Sequence, residues 1–312
     1  MNGWLVIGAI GLLLVGVGLS WRHWAVAMLA LARRRAGLRR HTVGVDGFEL
    51  VYYAGGPRSA EPLIFLHGFS ADSSNWLLLA PHFRDYRVLV PDLPGFGETG
   101  YLGNKSYALD CQVARLKDFI DILRLERVHL VGNSLGGYLA AAFAAAHPER
   151  VASLGLFNAA GVDMPKRSPF YEAALAGDNL LLLRKPADFD AILKLVYHRK
   201  PYLPGFLRDH LIALGMAQAA DQDLIFQEVF GQRVWLDDKL PSISAPTLIL
   251  WGDDDRVLDI SSIQLFKAGI PHAKIAILAQ CGHVPMLEKP RPTARLLRQL
   301  LEEGRFKPSQ PE

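Results

Sequence analysis

The stretch Val131-Gly132-Asn133-Ser134-Leu135-Gly136-Gly137 reads as the end of a strand, a cramped turn and the start of a helix, with one hydroxyl at the apex. Its spacing is G-x-S-x-G. A sharp strand-to-helix turn leaves no room for a Cβ two positions either side of the apex, which gives Gly132 and Gly136 a steric reason. Upstream, Arg127-Val128-His129-Leu130-Val131 has the look of a short buried strand, and downstream Tyr138 to His147 is an alanine-rich helix stopped by Pro148. The same pattern also arises by chance in ordinary turns, so a catalytic reading of Ser134 needs partners elsewhere in the chain.

Of the 312 residues half are apolar, enough for one α/β domain of about 270 residues with an appendage at the front. Met1 to Trp21 holds no charged side chain, and Trp4 to Leu19 is almost wholly apolar. Followed by Trp21 and Trp24, this run resembles a membrane span with an aromatic interfacial belt, the hydrocarbon needing about 20 helical residues. Six arginines (22, 33, 34, 35, 39 and 40) follow, and residues 1 to 40 carry no Asp, Glu or Lys. Without those six, 28 basic residues face 31 acidic ones, so 41–312 has a formal charge of −3 and the basic balance belongs to the anchor. That argues against a nucleic-acid surface; the arginines instead suit anionic lipid and a catalytic domain on the cytoplasmic side. Ala25 to Ala32 suits the membrane surface. The rival is a cleaved signal peptide ending near Ala30-Leu31-Ala32, but it lacks the amino-terminal charge such peptides carry. Cys111 and Cys281 are read as free thiols, although two cysteines in principle allow a bridge.

After the anchor, His41–Val45 and Phe48–Ala54 alternate in polarity around Asp46-Gly47, a hairpin signal. Strands are expected at 62–66, 86–90, 151–157, 246–251 and 274–278, the first two of them buried. Helices are expected at 75–84, 106–125, 260–269 and 292–303. Apolar runs alternating with helices argue a mostly parallel sheet covered on both faces. Residues 161–241 break the alternation: Ala173–Leu183, Asp188–Tyr197 and Phe206–Ala220 read as helices with no strand among them. The organisation is then an anchor with a basic segment (1–40), a core in two pieces (41–160 and 242–306), a helical cap (161–241) and a disordered tail (307–312). Such a cap sits over the carboxyl edge of the sheet, where ligands bind in open α/β sheets. Most of its apolar side chains are expected to pack it down, the rest to line a greasy pocket.

Serine is a poor nucleophile without a base and a carboxylate to orient that base. Asp255 follows the strand ending at Trp251, and His283 follows the strand ending at Leu278, so both stand on loops at the same edge as Ser134. Asp253, Asp254 and Asp259 compete with Asp255, and Asp259 also suits the cap of the next helix. The oxyanion needs two donors, and in this topology they are the backbone amides of Leu135 and of Phe69 in His67-Gly68-Phe69. His67 is read as part of a tight loop and His147 as a helix-end residue.

His67-Gly68-Phe69, Pro91-Asp92-Leu93-Pro94-Gly95, Gly132-Asn133-Ser134-Leu135-Gly136-Gly137, Trp251-Gly252 with Asp255, and Cys281-Gly282-His283 together resemble the α/β-hydrolase superfamily over residues 45 to 303. More narrowly, His67 to Ala71 with Trp76, Trp251 to Ser261 and Glu288 to Ala294 resemble membrane-anchored monoacylglycerol lipases and bacterial lipases like them. That resemblance implies the α/β-hydrolase fold, an esterase acting on acylglycerols, and Asp255 as the acid through the Trp-Gly-x-x-Asp pattern. Leu135 stands where those lipases usually have Met, and Pro94 to Glu98 follows the broader superfamily.

The expectation is therefore a membrane-bound serine hydrolase of lipid esters, monoacylglycerols foremost, with Ser134, His283 and Asp255 as catalytic residues and Phe69 and Leu135 as oxyanion donors. Its partners are the lipid substrate and the bilayer. No metal or organic cofactor is called for. The alternatives are a carbon–carbon bond hydrolase of ring-cleavage products, a carboxylesterase of soluble esters, and a non-catalytic binder on the same fold.

Overall fold

A computed structural model of the chain describes residues 23–231 and 234–306. The apolar run at 4–21 and the tail at 307–312, for which a span and disorder are expected, lie outside the described residues. Among the described residues no helix is long and apolar enough to cross a membrane.

Residues 23–35 are helical (α1). The hairpin follows as β1 (Arg39–Val45) and β2 (Phe48–Gly55), joined through Asp46 and Gly47 at φ 46° and 84°, the paired left-handed conformation that a two-residue hairpin turn requires. Then come β3 (Pro62–Leu66), β4 (Arg87–Pro91), α2 (Leu109–Ile122), β5 (Val128–Ser134), α3 (Leu135–Ala146) and β6 (Val151–Ala159). After β6 run α4 (Pro169–Leu175), α5 (Asp188–Val196) and α6 (Gly205–Gly231). The chain returns to the sheet as β7 (Thr247–Gly252), α7 (Ser262–Gly269), β8 (Lys274–Leu278), α8 (Pro285–Glu288) and α9 (Pro290–Glu303).

Three expectations are corrected. The helix at 75–84 is two 3-10 turns, Ser73–Trp76 and Ala80–Phe83; Pro81 has no amide to continue an α-helix from the first turn into the second. The helix expected over Ala173–Leu183 ends at Leu175, because Gly177 turns to φ 86° and the amide of Asp178 closes back on the Ala173 carbonyl at 2.9 Å. The helix expected to end at Ala220 instead runs on to Gly231, 27 residues in all.

The eight strands lie in the order β1-β2-β4-β3-β5-β6-β7-β8, with β2 antiparallel to both its neighbours, β1 and β4, and every other pair parallel. All seven residues of β5 and all nine of β6 are buried, as parallel strands covered on both faces require. Each Val or Leu so enclosed contributes about 1.5–3 kcal/mol by leaving water. One face of the sheet packs on α2, α3 and α7, through Leu116, Phe119, Leu139, Phe143 and Phe266. The other packs on α9 and the 3-10 turns, through Trp76, Phe83, Leu297 and Leu301. From β3 the chain winds outward to β4; from β5 it winds the opposite way to β6. The reversal leaves a crevice at the carboxyl ends of β3 and β5.

Helix α1 is pinned to this core. The Arg33 guanidinium stacks 4.3 Å from the Tyr53 ring centre and pairs with Glu98 at 3.3 Å, and Glu98 also accepts from Arg40 Nε at 2.8 Å and from the Tyr53 hydroxyl. Ala25 is buried, whereas Trp24, Val26 and Leu31 stay exposed.

Candidate active site

The loop after β3 and the turn after β5 meet at the crevice. Ser134 has φ 55° and ψ −118°, a strained conformation for a residue with a side chain, and α3 begins at the next residue. The glycines permit it. A Cβ on Gly132 would stand 2.0 Å from the Gly136 carbonyl oxygen, and one on Gly136 would stand 2.3 Å from the Leu66 carbonyl oxygen. Since both obstacles are backbone, Gly132→Ala is expected to lose about 3 kcal/mol or more of stability, read as a lowered urea midpoint at unchanged slope. A midpoint equal to wild type would mean that the turn is not tightly packed.

Gly68 brings the neighbouring loop against the same serine, its Cβ position lying 3.1 Å from Ser134 Cβ. Phe69 follows directly. Leu135 opens α3, so its amide belongs to the first turn, where no helical carbonyl accepts. His67 is buried in the loop: its Nδ1 donates to the Gly68 carbonyl at 2.8 Å and its Nε2 accepts from the Leu93 amide at 2.9 Å. Burial holds this imidazole below its ordinary pKa. Asp92, also buried, accepts from the amides of Ser73 at 2.7 Å and Glu98 at 2.9 Å, which gives the Pro91–Gly97 motif a framework role.

Of the four competing aspartates, Asp255 is the one that reaches His283, with Oδ2 2.8 Å from Nδ1. Its Oδ1 accepts from the amides of Val257 at 2.8 Å and Leu258 at 3.0 Å, so the carboxylate is fixed before the imidazole meets it. Asp254 turns away to Arg256 at 2.6 Å and His198 at 2.8 Å. Asp253 accepts from the Cys281 amide at 3.3 Å, and Asp259 accepts from the Ser261 amide at 2.9 Å just before α7, near the capping role expected of it. Gly252 allows the two loops to close, since a Cβ there would lie 2.2 Å from the Gly282 carbonyl oxygen. The side chains of Asp255 and His283 are 0% and 6% exposed, so little water competes for their hydrogen bond.

Two asparagines escaped the sequence reading. Asn133, inside the turn motif, donates to the carbonyls of Phe157 and His283, both at 3.0 Å, and so ties the serine turn to the histidine loop. Asn158 at the end of β6, with φ 45°, donates to Asp255 Oδ2 at 2.6 Å. In sequence its only signal is a lone asparagine where an apolar strand stops.

An apolar cavity of about 860 Å3 of empty space, partly open to solvent, begins at Ser134. Phe69, Met164, Phe170, Phe226, Phe230 and Trp235 are among its walls, and among the described residues no charged side chain lines it. Both cysteines are free, and burial pushes the Cys281 thiol up to about 12.

The sequence profile described as "Alpha/beta hydrolase family" matches residues 63–296. Lipase 1 of Psychrobacter immobilis is 30% identical over 83% of this chain and 84% of its own. Monoacylglycerol lipase ABHD6 of Bos taurus is 27% identical over 93% of this chain and 91% of its own. A crystal structure described as a membrane phospholipase A, a bacterial virulence factor, superposes with a TM-score of 0.90 at 37% identity, over 98% of this chain and all of the other.

Proposed function

This chain belongs to the alpha/beta hydrolase family and, with relatives named as lipases, is a hydrolase of ester bonds; we propose that it is a membrane-tethered serine hydrolase of lipid esters, monoacylglycerols foremost. The observation that carries the reading is the conjunction at Ser134 of a strained serine turn, a buried His283–Asp255 pair on the adjoining loops, and an apolar cavity. In this reading His283 takes the proton of the Ser134 hydroxyl, and the oxygen attacks the ester carbonyl. Asp255 holds the imidazole in the tautomer that can accept and steadies the imidazolium. The amides of Phe69 and Leu135 hold the oxyanion. Collapse of the tetrahedral centre breaks the ester bond, and the leaving alcohol takes the proton from His283. Water repeats the sequence on the acyl-enzyme and releases the fatty acid.

The cavity supplies the acyl site and residues 161–241 its cap. Residues 4–21 supply the tether, with the arginines behind it on the cytoplasmic side, and the exposed Trp24, Val26 and Leu31 of α1 suit the interface at its foot. Bilayer-borne substrates then reach the cavity over a short path. The names of the relatives, monoacylglycerol lipase and membrane phospholipase A, support glycerolipids as the substrate class.

The test is kcat/KM over a panel of monoacylglycerols, a diacyl phospholipid and nitrophenyl esters of increasing chain length. Each buried methylene is worth about 0.8 kcal/mol, so kcat/KM should climb about fourfold per methylene until the cavity is full. A maximum at acetate or butyrate with no hydrolysis of glycerolipids would sink the lipid reading, and activity on ring-cleavage dienoates instead would favour the carbon–carbon hydrolase.

A further inference from the structure

We propose that Gln222, on cap helix α6, is a positioning residue for the oxyanion hole and acts through Ser70; the inference rests on the reading of the Phe69 amide as an oxyanion donor. Ser70 directly follows Phe69 and has φ 55°, the left-handed region that is strained for a residue with a Cβ. Its surroundings have to hold it there. Ser70 Oγ donates to Gln222 Oε1 at 2.6 Å, its one side-chain hydrogen bond among the described residues.

Gln222 is well placed to act as a fixed strut. It is 6% exposed, and its Nε2 donates to Gln218 Oε1 at 3.3 Å, whose own Nε2 faces the Gly97 carbonyl oxygen at 3.5 Å. One turn further along α6, the Phe226 ring packs edge-on against the Phe69 ring at 5.6 Å, and Phe96 supports that ring from another side at 5.3 Å. Residues 222 and 226 share a helix face, so α6 grips Ser70 by a hydrogen bond and Phe69 by its ring. The helix is itself held beyond this point: Glu228 accepts from the Tyr107 amide at 2.8 Å and from the Ser106 hydroxyl. An oxyanion hole works only if its donors are aimed before charge develops. The Phe69 amide belongs to a short loop whose exit is set by the strained Ser70, so freeing Ser70 lets the donor swing while the rest of the site stays in place. The cap helix therefore acts on the rate of the chemistry as well as on access to the cavity.

The experiment uses the full-length protein in detergent micelles, with the variants Gln222→Leu, Ser70→Ala and Gln222→Glu. The readouts are kcat and KM on nitrophenyl butyrate and on a long-chain monoacylglycerol, and the inhibition constant of an alkyl trifluoromethyl ketone. Ser134 Oγ adds to that ketone, its proton passing to His283 and the carbonyl electron pair to the oxygen, so the adduct reports oxyanion binding directly. Gln222→Leu and Ser70→Ala should each lower kcat about tenfold on both substrates with KM within about twofold, and weaken the ketone by the same factor. Gln222→Glu, which keeps an acceptor for Ser70, should recover most of kcat. If the leucine variant does not fold, Ser70→Ala breaks the same bond from the half-buried loop side. Unchanged kcat and ketone affinity overturn the inference, and so does a loss confined to KM for the long-chain substrate. Ser134→Ala separates the two levels: hydrolysis surviving in it overturns the nucleophile reading and this inference with it. A silent Ser134→Ala beside unaffected Gln222→Leu and Ser70→Ala overturns the inference alone.

Discussion

Replacing Ser134 with alanine should lower kcat/KM for every ester substrate by a factor on the order of 10^4 or more, leaving only what binding and oxyanion stabilisation supply without a nucleophile. The change removes a single oxygen from a residue that is 8% exposed. Alanine bears the same Cβ as serine, so it meets the same strain at φ 55° and no new contact. The melting temperature should therefore stay within about 2 °C of wild type, and the lost activity is then chemical. Labelling by a fluorophosphonate reports the same point without any substrate: the wild type should take up the probe and the alanine variant should not. Ester hydrolysis persisting in Ser134→Ala would remove this serine from the mechanism, and a wild type that takes up no probe would favour a binder on this fold.

The second large effect is expected at Asp255. Asparagine in its place can still accept from Val257 and Leu258 through its carbonyl oxygen. Its NH2 then replaces the oxygen that now receives Asn158 at 2.6 Å and His283 at 2.8 Å. Donor faces donor, and the imidazole escapes by turning Nδ1 into an acceptor, which puts the proton on the nitrogen that has to take it from Ser134. Asp255→Asn should therefore cost about 10^4 in kcat near neutral pH. Asp254→Asn is the matched comparison. Its carboxylate is 32% exposed and engaged with Arg256 and His198, so kcat should change by less than about threefold. Steady-state kinetics on one soluble ester decides it, and a larger loss at 254 than at 255 would reassign the acid.

What the sequence could reveal was whatever rests on local sterics or on short-range periodicity. The serine turn was legible because its G-x-S-x-G spacing is local and Gly132 is demanded by a contact four residues on, at Gly136, whereas the obstacle to a side chain on Gly136 is the distant Leu66 carbonyl; the hairpin was legible because Asp46-Gly47 suits left-handed backbone on its own. Strands β3, β5, β6 and β7 stood out as continuous apolar runs because they are buried on both faces, whereas β8 at the edge of the sheet leaves Ile275 and Ile277 exposed. The choice of Asp255 among four aspartates was narrowed by loop position, and the contact that supports it, to His283, spans 28 residues of sequence that no local pattern reports. Asn158 was hidden because its meaning lies 97 residues away, at Asp255. Gln222 was hidden likewise, 152 residues from Ser70. The cap misled the periodicity reading in both directions. Leu180 to Leu183 is apolar enough to suggest a helix, but Gly177 had already ended it. Helix α6 has apolar residues all round, so no stripe marks how far it runs.

The helices between β6 and β7 form a segment whose two ends meet, the Leu236 amide donating to the Gly161 carbonyl at 2.7 Å. For a chain whose ends are already fixed side by side, the entropy of closing the loop rises only with the logarithm of its length, about 0.6 kcal/mol for each doubling. Gene-level lengthening, shortening or exchange of this segment is thus cheap for the sheet, and substrate range can drift while the serine, histidine and aspartate stay where the strands put them. One constraint travels with every such exchange: the incoming segment has to offer Ser70 an acceptor in the place of Gln222.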